Sequence, residues 1–209
     1  MADLINSMEK ENVHEMYIKG TLDDQVAKEL FEIKEGGKPG ISGSKEAKKI
    51  ASIIHQTLGE LVDNLNLHGA NIKKLSDYMV MQTHDPIKIK KAAFEPWLKV
   101  VQETIDVNRT LGNISEANQK IFWERLYNDF ITSNHMKAVT DQGIIEGLNP
   151  EVGMFQPRDI AKQLSEAHRE LHFKGPDEFM TYNKQFGIGK LSDSVLLAIE
   201  HNERKYALM

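Results

Sequence analysis

Apolar positions recur every three or four residues along most of this chain, in runs separated by Gly, Pro and small polar residues. That spacing places them on one stripe of an α-helix. Leu4, Ile5 and Met8 open such a stripe, which continues to Ile18 and stops at Gly20. Thr21, with Asp24 three residues on, is placed to cap the next helix. Its ridge runs Leu22, Val26, Leu30 and Ile33, beside Ala27 and Phe31. The stretch Glu35-Gly-Gly-Lys-Pro-Gly-Ile-Ser-Gly-Ser44 holds four glycines and a proline, and is the clearest loop in the chain. Ser44 is a good N-cap for a long helix from Lys45 to about Leu67, with Ala47, Ile50, Ile54, Leu58, Leu61 and Leu65 on its apolar face and Gly69 as its stop.

Asn71 to Met81 reads as a short helix or an extended connector. Asp85-Pro86 is a helix start, with an acid at the cap and Pro at the first helical position. Pro96 then forces a kink or a new start at Glu95, and Trp97, Val101 and Ile105 carry a buried face to Asp106. A further helix follows Asn113-Ile-Ser115 and contains Ile121, Phe122, Trp123, Leu126 and Phe130. Gly143 to Gln156 looks irregular, and Pro157–His168 and Pro176–Phe186 each open a shorter helix. Gly187-Ile-Gly189 is a turn before a final helix from Leu191 to Leu208. No stretch alternates with period two, so the expectation is an all-α, multi-helix bundle of about eight to ten helices with Gly/Pro-rich connections.

Composition narrows the classes. The chain has 209 residues, 40% of them apolar and 27% charged. That is a globular balance for one domain or two small ones. With no Cys, thiol catalysis, thiolate zinc sites and cysteine-held iron–sulfur clusters are excluded. The net charge of −5 resides in residues 1–36, where nine acids meet four lysines. The sequence therefore divides into an acidic helical segment over 1–36, a Gly-rich linker over 37–43, and a neutral body over 44–209. Complementary charge between the acidic segment and the stretch after it suggests an interface for self-association. The opening residues lack a basic, then apolar, leader, and no apolar run approaches the length of a membrane span. The last residues, Tyr206-Ala-Leu-Met209, are still in an apolar helical pattern, which suggests a piece of a longer chain.

Candidate chemistry is sparse. His168-Arg-Glu-Leu-His172 puts two histidines four residues apart, but Arg169 stands where a zincin needs Glu, and His172-Phe-Lys-Gly-Pro is leaving the helix. In Thr83-His84-Asp85-Pro86 a carboxylate adjoins an imidazole, though Asp85 is better placed as a cap. His84, Asp85 and His172 are thus the weak catalytic candidates. Lys45, Lys48, Lys49, Lys73 and Lys74 are the candidate phosphate contacts of a helical DNA-binding module. Phe186-Gly-Ile-Gly189 lacks the strand and third Gly of a dinucleotide loop, no serine has an elbow motif, and the aromatic positions recur at core spacing. Neither a metal nor a cofactor is expected, and nothing here by itself demands an enzyme.

Three groups of blocks carry a resemblance. The first is Gly20-Thr-Leu-Asp-Asp-Gln-Val-Ala-Lys-Glu-Leu-Phe-Glu-Ile33 with Pro39-Gly-Ile-Ser-Gly-Ser-Lys-Glu-Ala47. The second is Gly69-Ala-Asn-Ile72, Tyr78-Met-Val-Met-Gln-Thr-His-Asp85 and Phe94-Glu-Pro-Trp97. The third is His168-Arg-Glu-Leu-His-Phe-Lys174, Tyr182-Asn-Lys-Gln-Phe-Gly-Ile-Gly189 and Arg204-Lys-Tyr-Ala-Leu-Met209. In this order they resemble a segment of the large internal, or ejection, proteins of tailed bacteriophages. The resemblance implies a helical structural module carried in the capsid interior or the tail and portal region, delivered to the host with the genome, and flanked by more chain. Its partners would be copies of itself or portal, tail and ejection components. The resemblance carries over no catalytic residue. A delivered enzyme or effector using His84, Asp85 or His172 is the alternative, beside the DNA-binding module.

Overall fold

The computed structural model describes residues 2–34, 37–67, 84–112, 114–132, 138–140, 143–145 and 171–207. The expected connector at Asn71–Met81, the helix at Pro157–His168, and Lys73, Lys74 and His168 lie outside the described residues. The fold is all-α, with ten helices among the described residues: α1 (Ala2–Lys10), α2 (His14–Lys19), α3 (Asp23–Lys34), α4 (Lys45–Leu67), α5 (Pro86–Ala92), α6 (Phe94–Thr104), α7 (Val107–Leu111), α8 (Glu116–Thr132), α9 (Pro176–Phe186) and α10 (Leu191–Ala207). One small antiparallel pair accompanies them, β1 (Ala138–Thr140) and β2 (Gly143–Ile145), in register Ala138↔Ile145. The sequence reading missed this pair because three-residue strands are too short to show a period. Among the described residues, no helix is long and apolar enough to cross a membrane.

The chain divides into two compact units. The first contains described residues 2–34, 37–67 and 189–207, that is α1–α4 and α10. Its opening apolar stripe is two helices, because Asn12 takes a positive φ of 58° and the Val13 N–H turns back to Met8 O at 2.9 Å. Gly20 ends α2 as expected, with φ 68°, the left-handed conformation that glycine adopts without a Cβ penalty. Thr21 does not cap α3. Its hydroxyl donates to Met16 O at 3.4 Å and closes α2 instead, and α3 begins at Asp23.

Val26, Ala27, Leu30 and Phe31 of α3 are buried, and so are Ala47, Ile50, Ile54 and Leu58 of α4. Leu4 and Met8 of α1 and Leu191, Val195 and Ile199 of α10 complete this core. Residues on both sides of the Gly-rich connection fall in this one compact unit. The ridge of α3 and the first half of the α4 face are halves of one core, so the acidic helices pack with α4 and α10 in a single unit. The complementary charge is likewise used within the chain, where Lys49 Nζ lies 2.8 Å from Glu11 Oε2. Burial fades along α4, and Leu67 at its end is 80% exposed.

The second unit contains α5–α9 and the β1–β2 pair. Pro96 breaks the helix here, but at Ala93 rather than Glu95: a proline gives no N–H to the carbonyl four residues back, and its ring crowds that turn. Ala93 takes φ 67° between α5 and α6. With seven residues, α5 is too short to hold itself together in water. Tertiary contacts hold it: Ile89 is buried, the Asp85 N–H donates to Phe186 O at 2.7 Å, and Lys88 Nζ donates to Gly187 O at 2.6 Å. Trp97, Val101 and Ile105 form the buried face expected of α6. Ile105 then pairs antiparallel with Phe173. Around these residues the core is built of rings, including Phe122, Trp123, Phe130, Phe179, Tyr182 and Phe186.

Candidate functional site

Asp85 does what its position before Pro86 suggests. It sits at φ −88°, ψ 105°, and its Oδ1 accepts the otherwise unpaired amides of Ile87 at 2.9 Å and Lys88 at 3.1 Å. The carboxylate is thereby turned toward α5, and His84 has other partners. The His84 ring stacks on Phe130, with centroids 3.7 Å apart and 19° between planes. Its Nδ1 lies 2.9 Å from the Tyr182 hydroxyl. Adjacent in sequence, His84 and Asp85 do not form an acid–imidazole pair.

Tyr182 is the centre of this arrangement. It is 2% exposed and projects from α9 against Trp97 of α6, with Phe173 and Phe186 at centroid distances of 5.3 and 5.4 Å. The Trp97 indole, which can only donate, gives its Nε1–H to the Tyr182 oxygen at 3.4 Å. The Tyr182 hydroxyl and His84 Nδ1 share the second hydrogen bond of the line, whose direction follows the imidazole tautomer. Three aromatic residues from three parts of the chain, 98 and 85 residues apart in sequence, are tied into one line of donors and acceptors. By residue type an imidazole and a phenol can shuttle protons. Here the line runs into the core, where it gives the Trp97 indole N–H, the Tyr182 hydroxyl and His84 Nδ1 partners that burial would otherwise deny them.

His172 belongs to a different construction. It is outside any helix, as its Phe-Lys-Gly-Pro sequel suggested. Its N–H donates to Thr110 Oγ1 at 3.0 Å and its carbonyl accepts from the Asp106 N–H at 2.6 Å. Lys174 N–H to Thr104 O, at 3.0 Å, continues the same extended pairing. The backbone of His172 thus fastens the segment before α9 to the link between α6 and α7. Among the described residues, no group of three or more His, Asp or Glu is placed to hold a metal.

The candidate phosphate contacts lie at the start of α4. Lys45, Lys48 and Lys49 are exposed, but Lys49 meets Glu11 and the Lys48 charge acts on Glu29. Glu29 is a residue that the sequence reading passed over as one of nine acids. It is 0% exposed, and its two oxygens accept separate backbone amides, Gly40 on Oε2 and Ser42 on Oε1, the latter at 2.8 Å. Burial pushes its carboxyl up, but the Ser42 hydroxyl and amide, the Gly40 amide and Lys48 together outweigh burial and hold it below the ordinary glutamate value of 4.5. A signal was present: Glu29 stands three residues after Val26 and four before Ile33, squarely on the apolar ridge.

Asp23, at the start of the same helix, responds in the opposite direction. Its Oδ2 accepts the Leu191 N–H at 2.9 Å at the head of α10. Burial raises its carboxyl above the ordinary value of 3.8, against the Leu191 bond and Lys190, with Asp24 and Asp193 adding to the rise. Lys190 Nζ reaches Ile18 O at 3.0 Å and the Tyr17 hydroxyl reaches Ser192 O at 3.4 Å, so α2 and α3 meet α10 through polar groups. Burial, with Asp23 and Asp193 nearby, pushes the Tyr17 phenol up as well.

No protein family, curated protein or solved structure matches this chain.

Proposed function

We propose that the chain is a structural module of a tailed-bacteriophage virion, part of an internal protein delivered with the genome and acting through contacts with copies of itself or with portal, tail or ejection components. The observation that carries this reading is the ordered set of sequence blocks from Gly20 to Met209 that resembles internal virion proteins. The work done by the described block residues supports it. In the first block, Gly20 stops α2, Glu29 clasps the connection to α4 and Ser44 caps α4 through the Ala47 amide at 3.0 Å. In the second and third, Asp85 caps α5, Trp97 and Tyr182 join in the core, and Gly187 lies against the Asn183 side chain, where a Cβ would collide with it. Each of these is a packing or capping role.

The test is mass spectrometry of purified particles of the phage encoding this chain, before and after triggered DNA release. Its peptides are expected in DNA-filled particles and depleted in emptied ones. Their absence from filled particles would overturn the proposal.

A further inference from the structure

Between α3 and α4 runs a strap, residues 37–44, whose described anchors are polar. Ile41, its one large apolar side chain, is 64% exposed, so apolar burial contributes little to holding it down. Gly40 and Gly43 take φ of 138° and 72°, backbone that folds the strap back on itself, and the Gly43 N–H closes on Gly40 O at 3.2 Å. The Gly40 and Ser42 amides donate into the two oxygens of Glu29. From Ser42 the line continues: its hydroxyl accepts the Ser44 N–H at 3.1 Å, and the Ser44 hydroxyl accepts the Ala47 N–H in the first turn of α4.

We infer that this strap is a latch, held shut by the ionised carboxylate of Glu29 and released when that carboxylate takes up a proton. The reasoning is one of donor and acceptor count. A carboxylate only accepts, and here each oxygen receives one backbone N–H, with the Ser42 hydroxyl as a third donor. Protonation removes the charge that makes all of these bonds strong and leaves one oxygen carrying its own proton, a poorer acceptor for the N–H that faces it. The strap amides are then held weakly, and moving the strap into water satisfies them.

The surrounding charges favour the closed form at neutral pH. From α4 the Lys48 ammonium acts on Glu29, and together with the strap donors it keeps the carboxyl below its ordinary range. On α3 itself the neighbours are Lys28 and Glu32, the latter lying over Gly37 at the start of the strap. From α10, which also packs on α3, and the residue just before it, Asp193 and Lys190 act on Asp23, six residues and about 9 Å along the helix from Glu29. The latch therefore opens in acid, below the ordinary glutamate range.

Amide hydrogen exchange by NMR on the whole chain, from pH 7 to about pH 3, tests it, with rates referred to those of an unstructured peptide at each pH. In the wild type the Gly40 and Ser42 amides are expected to be protected at neutral pH and to lose more than about tenfold of that protection in acid, while Ile54 in the middle of α4 stays far better protected than either. Glu29→Gln, which keeps the side-chain shape but offers a single acceptor, is expected to leave the strap amides weakly protected at every pH. Strap amides that keep their neutral protection in acid, or a Glu29→Gln strap protected like the wild type, would overturn the latch. So would an Ile54 amide that falls to free-peptide rates together with the strap, because the response would then be global unfolding.

Discussion

The first unit fastens its helices with carboxylates and lysines, whereas the second fastens its helices with rings. In the first, the core is mostly aliphatic, and the connections between α3, α4 and α10 pass through Glu29 and Asp23. In the second, Trp97, Phe130, Phe173, Tyr182 and Phe186 meet edge to face or tilted, and hydrogen bonds join the Trp97 indole, the Tyr182 hydroxyl and His84 Nδ1 among them. The difference matters because contacts among Trp, Tyr and Phe rings do not titrate in the acid range, whereas carboxylate contacts do. The sign depends on the group. The Glu29 carboxyl is held below its unfolded value, so its contribution is present above that value and is lost as pH falls through the folded one. Asp23, raised by burial, works the other way: the folded state binds its proton more tightly, and stability from this group is lost as pH rises through the folded value. One helix thus carries two opposed acid responses.

The comparison is broken most severely at Trp97, which is fully buried at the meeting of α6, α8 and α9. Trp97→Ala is expected to cost about 3–5 kcal/mol in urea unfolding, a cavity effect that stays the same at pH 7 and in acid. Glu29→Ala comes next, at about 2–3 kcal/mol at pH 7, because two buried backbone amides lose a charged acceptor; unlike the tryptophan change, this loss shrinks in acid. Tyr182→Phe removes the hydroxyl shared by Trp97 and His84 while keeping the ring, and about 1–2 kcal/mol is expected. Its sharper signature is a shift of the His84 ring nitrogens in 15N NMR, which a purely steric role for Tyr182 would not produce. The smallest effect belongs to Lys49→Ala. Its pair with Glu11 is on the surface, and the urea midpoint is expected to stay where it is.

Much of this fold could be read from the chain, and what could be read was local. The Asp85-Pro86 start, the Gly20 stop, the Ser44 cap and the α9 boundaries each rest on residues within one turn of each other, and propensity and capping chemistry act at that range. The break at Asn12 and the use of Thr21 to close α2 were missed, since each needs a backbone conformation that the residue type only permits. The ring cluster was legible as core, but not the Tyr182–His84 bond, whose partners are 98 residues apart. Glu29 shows the limit most clearly. An acid on an apolar ridge signals a buried partner, yet its partners are backbone amides 11 and 13 residues away, and backbone amides have no residue-type signature.

The claim that an ionised carboxylate secures the first unit while rings secure the second is tested most directly by urea unfolding of wild type and Glu29→Gln at pH 7 and near pH 3. Far-UV circular dichroism would follow the helices, and tryptophan emission would report on the second unit, since both tryptophans, Trp97 and Trp123, belong to it. The expected result is a variant about 1–2 kcal/mol less stable at pH 7, equal to wild type in acid, with native tryptophan emission unchanged throughout. A gap of the same size at both pH values would contradict it.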